Sequence, residues 1–191
     1  MLKLKDSHLK SLFIKYKPVI HFILLFLGSY VILSGCYAFY LNMSRGGIYY
    51  PDYLTHLVAD QCAAILGSFE SAVVEPHATE PSMKLIVNDR FVARIIEGCN
   101  SVSILILFTA FVVAFAQKLK KTLLFLFAGA VLIYAVNILR IVLLAYALYH
   151  YPQYENILHS VVFPGIIYGM VFLLWMLWVR GLKESNSNDH D

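Results

Sequence analysis

Four stretches, roughly 18–41, 101–117, 122–149 and 159–180, are almost wholly apolar and contain no acidic residue. Crossing the hydrocarbon core of a bilayer takes about 20 such residues in a helix. Inside lipid every backbone N–H and C=O must find its partner within the protein, and a single apolar segment manages this only as a helix. With 60% of its 191 residues hydrophobic and 14% charged, the chain carries more apolar surface than a soluble domain of that size can hide. The expected fold is an all-α integral membrane protein with about four transmembrane helices.

The charges orient it. Lys3, Lys5, Lys10, Lys15 and Lys17 precede the first span, Lys118, Lys120 and Lys121 separate the second from the third, and Arg180 and Lys183 follow the fourth. If the spans alternate in direction, these ten of the fifteen basic residues fall on one side, which the positive-inside rule makes cytoplasmic. Segments 1–17 and 181–191 are then inside, and 42–100 and 150–158 outside, in the periplasm if the membrane is a bacterial inner membrane. The net charge of +3 is thus accounted for by topology and implies no nucleic-acid partner; the partners expected are membrane lipids and exported protein.

The outer segment 42–100 is the one extramembrane piece of any size. Tyr49, Tyr50 and Tyr53 suit an interfacial aromatic belt. Leu54 to Val74 mixes apolar and polar residues at helical spacing, which predicts an amphipathic helix on the membrane surface, ended by Pro76 and Pro81. Lys84 to Ile96 predicts a short β-hairpin about Asn88-Asp89, which delivers the chain to Cys99.

The three cysteines, Cys36, Cys62 and Cys99, make no disulfide framework, although an oxidising exterior would allow a Cys62–Cys99 bridge. Leu33-Ser34-Gly35-Cys36 matches a lipoprotein processing box. The apolar run continues through Tyr37-Ala38-Phe39-Tyr40-Leu41, however, and is long enough to span, so an uncleaved anchor is expected.

Cys99 stands just before span 2, His159 opens span 4, and Arg140 lies nine residues before Tyr149 on span 3, about 14 Å below it at helical rise. With alternating spans, three different helices bring Cys, Arg and His to the outer leaflet. An intramembrane guanidinium costs a few kcal/mol and normally lines a cavity or pairs with something. Asn137, three residues before Arg140, extends the polar patch on that helix face. Cys99 at a helix N-terminus, with Asn100 or Ser101 as cap, has the setting that favours a thiolate, and His159 at a second N-terminus can accept its proton. Glu97 is a candidate to orient His159. His56 and His77 are rival bases but sit in soluble segments. Together the types suggest acyl transfer: Cys99 as nucleophile, His159 as base and then acid, Arg140 on the oxyanion. That chemistry requires no metal and no cofactor.

Gly98-Cys99-Asn100-Ser101 at the start of one span, Asn137-Ile138-Leu139-Arg140 late in the next, and His159 with Gly165 and Gly169 in the last resemble the exosortase/archaeosortase family, and the short length is most similar to its small F-type branch. The resemblance covers roughly 80–180 and implies a membrane cysteine protease or transpeptidase that processes C-terminal sorting signals of exported proteins, with Cys99, Arg140 and His159 in the catalytic roles. The family commonly has Cys-Ser-Gly where this chain has Cys99-Asn100-Ser101. Two other classes stay open: a thiol–disulfide redox membrane protein using Cys62 and Cys99, and a non-enzymatic assembly subunit. A transporter fits less well, because four spans without a repeat make a thin pathway.

Overall fold

The computed structural model describes residues 2–44, 47–49, 51–116 and 118–187, with side chains described for 15–181 within those ranges. Tyr50 of the expected aromatic belt and residues 188–191 of the polar tail lie outside them. Helix α1 (Leu2–Ser44) runs unbroken through Cys36, which is exposed on its side. Helix α2 (Tyr53–Leu66) follows, then strands β1 (Ala72–Pro76), β2 (Ser82–Val87) and β3 (Arg90–Ile96), and helices α3 (Val102–Ala114) and α4 (Leu119–His150). The last membrane segment begins with a 3-10 turn (Pro152–Tyr154), α5 (Glu155–Ile157) and a π-helical turn (Leu158–Val162), and continues as α6 (Phe163–Ser187).

Three helical segments are long and apolar enough to cross a membrane: Lys15–Ser44, Leu119–His150 and Pro152–Gly181. The expected span 101–117 forms a helix of only 13 residues, about 20 Å at 1.5 Å per residue against a hydrocarbon core of about 30 Å. Its apolar composition is as expected; its length falls short because the helix stops at Phe115, three residues before the lysine cluster. The last segment, expected to start at His159, is helical from Pro152, since proline suits a first helical turn.

The 32 residues of α4 extend for about 48 Å, and two apolar clusters share that length. The lower half of α4 carries Ile133, which packs with Phe108 and Val112 of α3 and Val171, Leu174 and Trp178 of α6. Gly129 makes the close approach possible: a Cβ there would lie 2.3 Å from Phe108 Cζ. Stacked rings fasten the helices, Phe111 on Trp175 and Phe125 on Trp178 at 4.4 and 4.6 Å between centroids. The upper half of α4 carries Ile138, Ile141, Val142 and Ala145 and packs against α2 and the sheet.

That upper cluster corrects two expectations about the outer segment. The amphipathic helix ends at Leu66 rather than Val74, and residues 72–76 become β1, because Val73 and Val74 suit a strand once β2 is there to pair with. The apolar face of α2 (Val58, Ala59, Cys62, Ala63, Leu66) is turned onto α4 and the sheet and not onto lipid. The helix start is fixed by Asp52, buried, whose carboxylate accepts from the N–H groups of Leu54 and Thr55 at 3.0 and 3.1 Å.

The hairpin forms where expected. Asn88 and Asp89 both take positive φ, 49° and 61°, the backbone of a two-residue primed turn. Asn88 also donates to Glu70 at 2.7 Å and to the Tyr149 hydroxyl at 3.1 Å, tying the turn to the top of α4. The sheet has the order β1-β2-β3, antiparallel throughout. Leu85 pairs with Ala93 and Ile86 with Phe91, so Val92 is an extra residue, a bulge in β3.

Candidate active site

Strand β3 leads into a 3-10 turn, Glu97–Cys99, and α3 starts at Val102. Cys99 therefore sits where an extended strand is converted into a helix, and its backbone is held from several sides. Asn137 of α4, almost fully buried, donates from Nδ2 to the Cys99 carbonyl at 2.7 Å. Asn100, also buried, donates from Nδ2 to the Tyr37 hydroxyl of α1 at 2.8 Å and to Thr55 Oγ1 of α2 at 3.1 Å. Its Oδ1 accepts from the N–H of Val102, the first residue of α3, at 3.0 Å. Asn100 thus ties three helices together behind the cysteine, and Asn137 positions the cysteine's own peptide unit.

Ser101 completes the junction at φ 65°, in the left-handed region. Its Oγ is buried and has no hydrogen-bond partner among the described residues. A non-glycine residue there costs roughly 1 kcal/mol, which is the physical reason a glycine suits this position. Ser101→Gly is expected to raise the melting temperature in detergent by about 2–4 °C, and Ser101→Val, β-branched at positive φ, to lower it. Thermal unfolding of the two variants checks both signs.

One cavity of about 500 Å³ opens beside this junction, and Cys99, Arg140 and His159 all line it. They come from the strand–helix junction, from α4 and from the π-helical turn. Glu155 and Arg94 add further charged groups to the lining, and Val92, Ala93, Ile95 and Ile96 of β3 with Ile141, Leu144 and Leu148 of α4 supply its apolar part. Cys99 and Arg140 are half-buried, while His159 and Glu155 are open to the surroundings. Arg140 Nε is buried with no hydrogen-bond partner among the described residues. The ion pairs among them are His56–Asp60, Arg94–Glu80 and His150–Glu70, and Arg140 is in none. A guanidinium at the wall of a cavity, outside any ion pair among the described residues, has donors that can bond an anionic oxygen.

The position of His159 differs from expectation. It lies inside the last helical segment, in the π-helical turn two turns beyond Pro152, so no helix N-terminus acts on it. A widened turn of this kind is frequent at functional sites, where it alters the direction of a side chain. Glu97 differs too. It lines a neighbouring groove with Glu80, Ser82 and Gly98, not the cavity of Cys99. The carboxylate that shares the cavity with His159 is Glu155, four residues earlier in sequence. That spacing on a helix was the available signal for Glu155. Arg94 had none, because a charged residue on a half-exposed strand is ordinary. Of the rival bases, His56 faces Asp60 at 3.6 Å, and His77 Nδ1 accepts from the N–H groups of Thr79 and Glu80 at 3.3 Å; neither lines the cavity.

All three cysteines are free. Cys62 is fully buried in the upper cluster, with Cys99 packed against it. Burial pushes its thiol up to about 12, a nearby Cys99 thiolate adds to this, and Arg140 opposes it. Only the thiolate attacks electrophiles, so at pH 7 Cys62 is reactive in on the order of one molecule in 10⁵. Because the shift is upward, reactivity appears only as pH rises toward 12. A membrane-impermeant maleimide at pH 7 is expected to label Cys99 and to leave Cys62 untouched until the protein is denatured, as read by mass spectrometry of the two peptides.

Among known families, the one described as transmembrane exosortase has a sequence model that matches residues 18–179, a range that holds the first three apolar stretches, all but the last residue of the fourth, and every residue lining the cavity. No curated protein and no solved structure matches the chain.

Proposed function

Because this chain belongs to the transmembrane exosortase family, membrane proteins of protein sorting, we propose that it is a cysteine protease or transpeptidase that cleaves C-terminal sorting signals of exported proteins. The observation that carries this reading is the single cavity walled by Cys99, Arg140 and His159 from three separate elements. Among the branches of the family, its length and spans favour the small F-type.

In this mechanism the Cys99 thiol gives its proton to His159 and its sulfur attacks the carbonyl carbon of the scissile peptide bond. The carbonyl oxygen becomes an oxyanion, and the Arg140 guanidinium, free of any ion pair among the described residues, supplies hydrogen-bond donors to it. As the tetrahedral intermediate collapses, the C–N bond breaks, the amine leaves with the proton from His159, and a thioester on Cys99 remains. Water or an acceptor amine, deprotonated by His159, then attacks the thioester and releases the cysteine. Glu155, one helical turn before His159, is suited to hold the imidazolium, a role first considered for Glu97. Asn137 and Asn100 act as positioning residues, through the backbone of Cys99 and the start of α3.

The redox reading is less well supported. A buried thiol pushed up to about 12 makes Cys62 a poor partner for exchange.

The reading also requires Cys99 to lie at the outer face. From Leu119 to Asn137, the residue bonded to Cys99, α4 rises about 27 Å, close to one hydrocarbon thickness. We infer that α3 carries the chain across as a fourth crossing, and that the last turns of α4 with α2 and the sheet stand outside. Reporter fusions at Val74 and Tyr154 are expected to be periplasmic, and fusions at Lys120 and after α6 cytoplasmic. A periplasmic Lys120 fusion would remove the fourth crossing. The function itself is tested by comparing C-terminal peptides of exported proteins from cells carrying the wild-type chain or Cys99→Ala. Shortened C-termini present only with the wild type identify the substrates, and identical C-termini in both cells would refute the reading.

A further inference from the structure

Strand β3 is an edge strand, and among the described residues it pairs with β2 alone. The two edges of this sheet are not alike. Strand β1 has five residues and ends in Pro76, which lacks a backbone donor; a short strand closed by proline is a usual way to block pairing with another chain. Strand β3 has seven residues and no proline. Five of them in succession, Val92 to Ile96, line the cavity that holds Cys99. Arg140, Ile141, Leu144 and Leu148 of α4 line the same cavity, so the unpaired strand borders the space that holds Cys99. The bulge at Val92 lies where the lining stretch begins, and bulges turn the strand that carries them.

Resting on the reading of Cys99 as the acylated nucleophile, we infer that the free edge of β3 takes an extended segment of the substrate polypeptide as a fourth strand, parallel to β3. An unpaired edge offers backbone N–H and C=O groups that bind any extended peptide, whatever its side chains. Four residue steps from Val92 to Ile96 cover about 13 Å at 3.3 Å per step, enough to hold about five substrate residues just before the cleaved bond. Three residues beyond the end of β3 is Cys99, so the added strand leads its scissile carbonyl toward the thiol. The direction follows from topology. Strand β3 runs from the Asn88-Asp89 turn toward α3 and the membrane. A substrate with its body outside and a C-terminal apolar segment in the bilayer descends in the same sense, N to C. The apolar wall of Ile141, Leu144 and Leu148 would then accept alternate side chains and supply selectivity.

The test uses the full-length membrane chain with Cys99→Ala, which leaves the substrate uncut. The substrate probe is an exported protein whose C-terminal processing is lost in Cys99→Ala cells. Single cysteines are placed at Val92, Arg94 or Ile96, and single cysteines at each of the eight or so residues before the substrate's cleavage point. Disulfide formation in membranes is read on non-reducing gels, with the chain lacking a β3 cysteine as background. Parallel addition predicts at least a 10-fold excess of cross-linking along one diagonal: a step of two along β3 moves the best substrate position by two toward its C-terminus. A diagonal of opposite slope, or cross-linking with no register, would overturn the proposal while Cys99-dependent processing still stood. If no exported protein depended on Cys99, the functional reading would fall and strand addition with it. Equal yields of correctly inserted protein for the three β3 variants are checked by their resistance to protease in intact membranes.

Discussion

Membranes containing Cys99→Ala are expected to convert no measurable substrate. Removing the nucleophile of an acyl-transfer enzyme costs on the order of 10⁶-fold in rate. The substitution is a clean one because the scaffold does not depend on the thiol. Asn137 bonds the backbone carbonyl of residue 99, and Asn100 makes its three side-chain hydrogen bonds without it. Alanine keeps all of these, so the protein should insert and fold as before, and loss of conversion reports chemistry. His159→Ala is expected to be comparably poor, since base and nucleophile act as a unit, whereas Cys36→Ala and Cys62→Ala should retain conversion. Quantifying the released fragment in membranes with equal amounts of each variant separates these cases. A Cys62 variant as inactive as Cys99→Ala would turn the reading toward disulfide chemistry, and an active Cys99→Ala would leave a non-enzymatic assembly role.

Arg140→Lys should lose about 100- to 1,000-fold in conversion rate, the usual cost of one oxyanion donor. Lysine retains the charge but not the planar fork of donors. A purely structural arginine, one that anchors α4 in the membrane, would be replaced well by lysine, which also reaches toward headgroups. The distinction is sharp here because Arg140 Nε is buried without a partner and the residue is in no ion pair among the described residues. Equal maleimide labelling of Cys99 in the variant and the wild type controls for folding. Conversion by Arg140→Lys near the wild-type rate would leave Cys99 and His159 to act without it.

The partition between what local pattern reveals and what it hides can be followed along the outer segment. Asn88-Asp89 between two apolar runs was legible because a two-residue turn needs positive φ at both positions, a demand that residue type alone expresses. Val73 and Val74 were not. They continue the helical spacing of 54–66 equally well, and only the presence of β2 as a partner makes them a strand. The same holds for α2, whose amphipathic pattern says that one face is buried but not whether lipid or α4 buries it.

From the sequence alone followed the membrane class and the hairpin turn, with an expected sidedness from lysine placement and Cys99, Arg140 and His159 as candidates. Each is a property of composition, of spacing within one segment, or of the high cost of a charge in lipid. Only the tertiary structure decided which of these residues share a cavity, that Glu155 and not Glu97 joins them, that His159 sits in a π-helical turn, and that Asn100 lies behind the cysteine tying helices together. Those outcomes are set by contacts between residues far apart in the chain, 63 positions for Asn100 with Tyr37 and 38 for Asn137 with Cys99. A buried amide looks the same in sequence whether it meets a substrate or a neighbouring helix, and packing alone selects between them.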